Sequence, residues 1–284
     1  MNAVSIGSPR PVQKTVTGLP ASDGAGVRLT RIIGQPRLEM LDPFLLLDAF
    51  GSDRPDDYLG GFPDHPHRGF ETVTYLLAGR MRHQDNAGHA GVIEAGGVQW
   101  MSAARGIVHS EMPEQQDGLL AGFQLWINLP ARLKMSAPRY QEFPAAEIPV
   151  EIRAGGVTIK VIAGATSQGT RGPVREVPTE PFYFDIALEA DAAISEPLPT
   201  DHNVFVYVIA GELRVADTTT VSAGSLAVMG AGAGVDLAAA GVATRLLLIG
   251  GRPIGEPVAR GGPFVMNDKA EVLQAFRDYE AGRL

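Results

Sequence analysis

The sequence contains no cysteine. Disulfide bonds, thiolate metal sites and cysteine nucleophiles are therefore excluded, and a metal ion would need histidine or oxygen ligands. Histidine is also scarce. There are 6 histidines in 284 residues, and His202 is the one that lies in the second half of the chain.

Basic residues are fewer than acidic ones, with 24 Lys and Arg against 32 Asp and Glu, and the formal net charge is -8. No stretch of the chain is rich in lysine or arginine. Direct binding to nucleic acid phosphates needs a clustered basic surface, so this function is not expected. The acidic balance fits a protein partner better than DNA.

Long apolar runs are missing as well. The most apolar late stretch, residues 237–251, is interrupted by Arg245 and is too short to span a bilayer. Residues 1–16 have neither the apolar core nor the cleavage site of a secretory signal. These features predict a cytoplasmic protein without a membrane anchor.

Glycine and proline are abundant, with 34 and 21 residues, which is typical of a turn-rich β protein. The chain also repeats itself. The segment VTYLLAGRMR at 73–82 recurs as FVYVIAGELR at 205–214, and EAGGVQWM at 94–101 recurs as SAGSLAVM at 222–229. A period this long indicates tandem duplication of one jelly-roll-like domain, built of short strands separated by glycine turns.

We therefore predict an all-β fold of two tandem barrels, covering residues 1–140 and 141–284. The join is expected between Pro138 and Pro149, where prolines are concentrated. A C-terminal helix is predicted after Asn267, which can serve as its N-cap. Its apolar face is formed at helical spacing by Val272, Phe276 and Tyr279.

Two short motifs predict a metal site. His65 and His67 flank Pro66, and His109 and Glu111 flank Ser110. Residues i and i+2 of an extended segment point to the same face, so each pair can direct both side chains at one point. Three imidazoles and one carboxylate suit a divalent transition metal.

The repeat assigns this chemistry to the first barrel. By the same offsets, His65 and His67 project onto Pro197 and Pro199, while His109 and Glu111 project onto Leu237 and Ala239. None of these four side chains can bind a metal ion. The second barrel is therefore expected to be free of metal and to serve packing or partner contacts.

Several nearby residues have open roles. His83 and His89 lie in a segment that is four residues longer than its repeat and reads as a loop, so we do not place them in the ligand set. Glu71 has the same parity along the chain as His65 and His67, and three roles stay open for it: a ligand, a hydrogen-bond acceptor for an imidazole N–H, or a structural group. Arg68 and Arg105 are interpreted as structural at least as readily as functional.

These residues resemble a known family. Asp64-His65-Pro66-His67-Arg68-Gly69-Phe70-Glu71-Thr72-Val73 is similar to the first motif of the cupin superfamily. The resemblance narrows to the pirin family through four further blocks, which are Asp42-Pro43-Phe44, residues 106–113, residues 123–130 and residues 262–267. The blocks extend over nearly the whole chain, and together they are highly specific.

The resemblance implies a bicupin, with two barrels face to face and one iron ion in the N-terminal barrel. Carried over residue by residue, the metal ligands of the family correspond to His65, His67, His109 and Glu111. It also implies that Glu71 lies outside the ligand set, in contact with a ligand. Iron(II) is the expected metal, and Mn, Ni, Co or Zn would suit the same donors.

Dioxygenation of a flavonol-like aromatic substrate, as by a quercetin 2,3-dioxygenase, is the predicted activity. A divalent ion on these ligands carries a net charge of +1, which attracts a phenolate, and Glu111 is the candidate catalytic base. Phe50, Phe70, Phe123, Trp126 and Met112 are candidates for the pocket wall, although most of them are expected in the core.

Two other functions stay open. One is a redox- or metal-sensing coregulator that binds a protein partner without turnover, and the other is a barrel in which the metal only stabilises the fold. A bicupin buries barrel against barrel within one chain, so a monomer is expected.

Overall fold

The computed structural model describes residues 7–216 and 218–284, in which the chain forms twenty-four strands and one α-helix. The strands of the first half are β1 (Val12–Thr17), β2 (Leu19–Asp23), β3 (Val27–Ile33), β4 (Phe44–Ser52), β5 (Phe62–His67), β6 (Phe70–Ala78), β7 (Arg80–Asp85), β8 (Ala90–Glu94), β9 (Val98–Ser102), β10 (Ile107–Pro113), β11 (Leu120–Asn128) and β12 (Arg139–Phe143).

The second half contributes β13 (Val150–Arg153), β14 (Val157–Ala163), β15 (Phe182–Leu188), β16 (Ala193–Pro197), β17 (Asn203–Ala210), β18 (Glu212–Val215), β19 (Thr219–Ser222), β20 (Ser225–Met229), β21 (Gly234–Ala239), β22 (Thr244–Gly251), β23 (Ala259–Gly261), β24 (Phe264–Met266) and the helix α1 (Lys269–Glu280). In the described part of the chain, no helix has the length and hydropathy needed to cross a bilayer.

The strands form two compact units. The first unit comprises Leu19–Ala146 and Ile254–Leu284, and the second comprises residues 7–18 and Glu147–Pro253. The break between Ala146 and Glu147 falls in the proline-rich stretch expected to join the domains. Each unit also contains a terminal segment from the other half of the sequence, which the predicted ranges 1–140 and 141–284 did not include.

Both units have the same strand order, as the sequence repeat predicts. The first has a seven-stranded antiparallel sheet, β12-β9-β6-β11-β4-β3-β2, and a four-stranded sheet, β5-β10-β7-β8. The second has β1-β20-β17-β22-β15-β14-β13 and β16-β21-β18-β19. The edge position of β12 is taken by β1 in the second unit, because β1 pairs with β20 from Val12 to Thr17. This pairing explains why the N-terminal strand belongs to the second unit.

The two interiors differ on the corresponding strands β10 and β21, where the register places Val235 and Leu237 at the positions of His109 and Glu111. In the second unit, Leu237 and Ala239 on β21 belong to a continuous apolar cluster. On the corresponding strand β10 of the first unit, the buried residues are Ile107, His109 and Glu111. The first unit therefore buries polar groups where its copy buries hydrocarbon.

The C-terminal segment is attached to the first unit at the turn between β5 and β6. Arg68, which is 3% exposed, forms an ion pair of 2.8 Å with Asp278 of α1 and donates to the backbone oxygen of Arg105. Gly69 has a φ of +91°, and a Cβ at this position would overlap the carbonyl oxygen of Val265. The role of Arg68 is thus structural.

Lys134 completes this attachment. Its ammonium group is buried and donates to the carbonyl oxygens of Gly69 at 2.7 Å and Val265 at 2.9 Å, and to Asn128 Oδ1 at 2.6 Å. One cation therefore ties the β5–β6 turn to strand β24.

Helix α1 begins one residue later than predicted. Asp268, not Asn267, is the N-cap: its side chain accepts from the amide of Glu271, whose own side chain accepts from the amide of Asp268. Such a reciprocal capping box satisfies two otherwise unpaired amides. The predicted apolar face is confirmed, since Val272 is buried and the rings of Phe276 and Tyr279 contact Phe264.

Replacing Lys134 by methionine should lower the free energy of unfolding by about 2–4 kcal/mol, because buried acceptors lose their donor. Chemical denaturation measures the change. Lys269→Met, at an exposed position, is the matched control. Equal stability of the two variants would contradict a role for Lys134 in holding the segment.

Candidate metal centre

The two histidine motifs lie on neighbouring strands. Strands β5 and β10 pair antiparallel, with His109 opposite His65 and Ile107 opposite His67. Pro66 keeps β5 extended, so both of its histidines direct their rings to the same side. The register shifts between His109 and Glu111, which brings Glu111 opposite Phe62 on β5 and His83 on β7.

The three imidazoles form a compact group. Ligating atoms of His65, His67 and His109 all lie within 4.8 Å of one another, and the ring centroids are separated by 4.5–5.1 Å. His65 Nδ1 donates to the carbonyl oxygen of Pro63 at 2.8 Å. Because a carbonyl only accepts, the other nitrogen of a neutral His65 ring is left unprotonated, as metal binding requires.

The environment keeps the imidazoles neutral. Burial, followed by the charges of the neighbouring histidines, lowers the pKa of His67 well below its ordinary value. Burial and His65 lower the pKa of His109 to about 3. Both nitrogens of His109 are buried without a hydrogen-bond partner in the protein. Buried neutral imidazoles with unsatisfied nitrogens fit a metal ion, which would supply the missing interaction.

Glu111 lies beside this group but outside the set of atoms within 4.8 Å. It is 2% exposed, and its carboxylate accepts from Thr74 Oγ1 at 2.7 Å and from Gln124 Nε2 at 2.9 Å. These two donors orient the carboxylate. The structure thus assembles three of the four predicted ligands, while Glu111 as the fourth stays a prediction.

A cavity of about 340 Å³ opens beside the imidazoles. His65, His67 and Glu111 line it, together with apolar side chains and a few polar ones further along. Of the predicted wall residues, Phe50 and Trp126 line the cavity. Phe70, Phe123 and Met112 are not among the lining residues, but the ring of Phe70 contacts the rings of both Trp126 and His67.

The other three histidines lie outside the imidazole group. His83 is part of strand β7, not of a loop as its composition suggested, and its Nε2 lies 2.6 Å from Glu142. His89 is paired with Asp85 at 2.9 Å. In the second unit, His202 contacts Asp201 and the carbonyl oxygen of Glu180.

Glu71 does not face the centre. The parity argument for Glu71 assumed that one strand continues unbroken from His65, but the chain turns at Gly69. Glu71 is therefore on the face of β6 opposite to Thr74. Its carboxylate accepts from Trp100 Nε1 at 3.1 Å. Burial raises the pKa of Glu71 to about 7, against the weaker lowering effects of Trp100 and Arg139.

Sequence reasoning missed three residues of the site. Thr74 and Gln124, which orient Glu111, are polar positions on the buried strands β6 and β11, and this was a readable signal. Arg260 lines the cavity from β23. It lies about 150 residues beyond Glu111 in the sequence and carries no local motif, so only the tertiary structure reveals it.

The duplicated jelly-roll units and the histidine group define a two-domain cupin protein, or bicupin. Two family models match the chain, the Pirin model over residues 26–127 and the Pirin C-terminal cupin domain model over residues 183–284. A pirin-like protein of Caulobacter vibrioides is 59% identical over 274 residues, which cover 96% of this chain and 99% of that protein. The chain belongs to the pirin family.

Other relatives carry the name of an activity. A Pseudomonas aeruginosa protein, provisionally named quercetin 2,3-dioxygenase, is 49% identical over 280 residues, covering 97% of this chain and 98% of that protein. The crystal structure of a quercetin 2,3-dioxygenase from Acinetobacter baumannii matches with a TM-score of 0.90 and 30% identity, covering 97% of this chain and 98% of that one.

The pKa of Glu71 predicts a pH effect on stability. The folded protein keeps this proton up to about pH 7, whereas the unfolded chain releases it near 4.5, so stability falls as pH rises through this window. The loss is at most roughly 3 kcal/mol. Glu71→Gln should lack this pH-dependent loss of stability. The unfolding free energy of Glu71→Gln minus that of the wild type should therefore be larger at pH 8 than at pH 5.

Denaturation of both proteins at the two pH values measures the difference. Glu94→Gln removes an exposed carboxylate of the same unit and is the control. Parallel pH dependence in wild type and Glu71→Gln would show that Glu71 does not titrate in this range.

Proposed function

We propose that the protein is an iron-dependent dioxygenase acting on a flavonol-like aromatic substrate. The observation that carries this proposal is the group of neutral imidazoles that borders a cavity of about 340 Å³ with aromatic walls. A purely structural metal would need no adjoining space for a small aromatic molecule. The names of two relatives give further support.

The proposed ligand set is His65, His67, His109 and Glu111. Held by these four residues, the ion would remain accessible to a small ligand. Iron(II) is proposed, and the same nitrogen and oxygen donors suit Mn, Co, Ni or Zn. When bound, the ion supplies a Lewis acid for a substrate hydroxyl and redox chemistry with dioxygen.

The residues around the ligands have separate tasks in this proposal. Trp126 and Phe50 offer flat apolar surfaces against which an aromatic ring can pack. Glu111 would accept the proton of the substrate hydroxyl, and Thr74 and Gln124 would hold its carboxylate in position while it does so.

The sequence also predicts that the protein is cytoplasmic and monomeric, and both properties stay predictions.

An oxygen electrode tests turnover directly. Protein loaded anaerobically with Fe(II) is expected to consume oxygen when quercetin is added, with loss of the flavonol absorbance. His67→Ala should abolish uptake and lower metal affinity by about tenfold or more. His202→Ala, at a histidine of the second unit, should retain both properties.

Absence of uptake in wild-type protein with iron bound would overturn the dioxygenase proposal. Metal sensing and stabilisation of the fold by the metal would then remain. Sensing requires a partner that binds ferrous and ferric protein with different affinities, whereas a stabilising metal would only raise the melting temperature. Uptake that persists in His67→Ala would show that the reaction does not depend on this site.

Replacement of Glu111 by glutamine tests the fourth ligand. Loss of the charge should weaken metal binding by about tenfold or more and change the visible absorption spectrum of Co(II)-loaded protein. Glu142→Gln removes a carboxylate from the same unit without touching the imidazole group and is the control. An unchanged Co(II) spectrum in Glu111→Gln would place Glu111 outside the coordination sphere.

A further inference from the structure

Arg260 lines the same cavity as His65 and His67. It belongs to β23 of the C-terminal segment, lines the cavity and is open to solvent. Its guanidinium carbon lies 4.8 Å from the ring centroid of Trp126. The same indole is 5.1 Å from the ring of His67. A single aromatic side chain therefore separates Arg260 from a candidate metal ligand.

No carboxylate of the described chain forms an ion pair or hydrogen bond with Arg260. The two acidic side chains that line this part of the cavity, Asp48 and Asp23, are taken by Arg31. Arg31 binds both oxygens of Asp48, at 3.0 and 2.7 Å, and one oxygen of Asp23 at 2.9 Å. Around Arg260, the attraction of Asp48 and Asp23 is opposed by the repulsion of Arg31.

Arg260 is thus a cation with unused donors. A guanidinium stays protonated at neutral pH and presents five N–H groups in a planar fork that matches a carboxylate. Its contact with the Trp126 face does not use these donors. A side chain of this kind at the mouth of an aromatic-walled cavity is suited to binding an anion.

We propose that Arg260 selects aromatic ligands with an anionic group, a carboxylate or phenolate, at the end distant from the imidazoles. The aromatic body would pack against Trp126, and the opposite end would offer its oxygens to the metal. The contact of one end of the ligand with a metal rests on the proposed function, whereas the contact of the anionic end with Arg260 rests only on the residues that line the cavity.

A matched pair of probes tests the charge requirement. 3,4-Dihydroxycinnamate and its primary amide share a catechol and a length, and they differ at the far end in charge. Calorimetric titration of metal-loaded protein without oxygen gives both dissociation constants. The wild type should bind the carboxylate about tenfold more tightly than the amide or better, as expected for charge-assisted hydrogen bonds.

Arg260→Gln should weaken carboxylate binding and leave amide binding unchanged, so the preference disappears. Arg260→Lys keeps the charge and should restore part of the preference. Arg80→Gln removes an exposed arginine of the same unit, away from the cavity, and should behave like the wild type.

Three results would overturn the proposal. They are an unchanged preference in Arg260→Gln, an equal loss for both probes, which would mean that Arg260 only holds Trp126, and no binding of either probe to the wild type. An Arg260-dependent preference without oxygen uptake would instead refute the dioxygenase and leave this inference standing. Oxygen uptake together with a preference that does not depend on Arg260 would refute this inference and leave the dioxygenase proposal standing.

Discussion

The buried contacts of Arg68 and Lys134 with the C-terminal segment are the constraint on which the rest of the first unit depends. Strand β5 carries His65 and His67 and ends at this turn, so the position of the imidazoles follows from the position of Gly69. The segment that covers the turn also supplies Arg260 to the cavity. One set of hydrogen bonds therefore holds together the strand that carries His65 and His67 and the segment that carries Arg260. Because these donors and acceptors are buried, leaving any of them unpaired raises the free energy. Conformations without these hydrogen bonds are therefore disfavoured.

Duplication lets one chain carry the same strand order with two different interiors. The second unit fills its interior with hydrocarbon at Leu237 and Ala239, which contributes hydrophobic stabilisation. The first unit gives up that contribution on its corresponding strand and buries His109 and Glu111, whose desolvation is unfavourable unless each finds a partner. Thr74 and Gln124 are such partners for Glu111, and a metal ion would be the partner for the imidazoles. Polar groups that are buried at positions where apolar side chains would give a more stable protein are typical of functional sites.

Much of this organisation was predictable, for identifiable reasons. Strand periodicity is two, so the spacing of His65 and His67 correctly indicated that this pair faces one side. For His109 and Glu111 the same expectation stays a prediction, because the register shifts between them. The repeat correctly indicated two units of one topology. The same parity rule failed for Glu71, because Arg68 and Gly69 interrupt the strand and reset the alternation. The sequence did not identify Asp268 as the N-cap of α1 either. The adjacent residues Asn267 and Asp268 are both good N-caps, and only the hydrogen bonds of the folded chain decide between them.

The sequence by itself determined the all-β class, the duplication, the family and the identity of the candidate ligands, because these follow from composition and from residues close together in the chain. The tertiary structure alone decided which terminal segment joins which unit, that Thr74 and Gln124 orient Glu111, and that Arg260 reaches the cavity beside Trp126. Each of these depends on contacts between residues far apart in sequence. Such contacts arise from strand pairing and side-chain packing across the fold, and no local pattern encodes them.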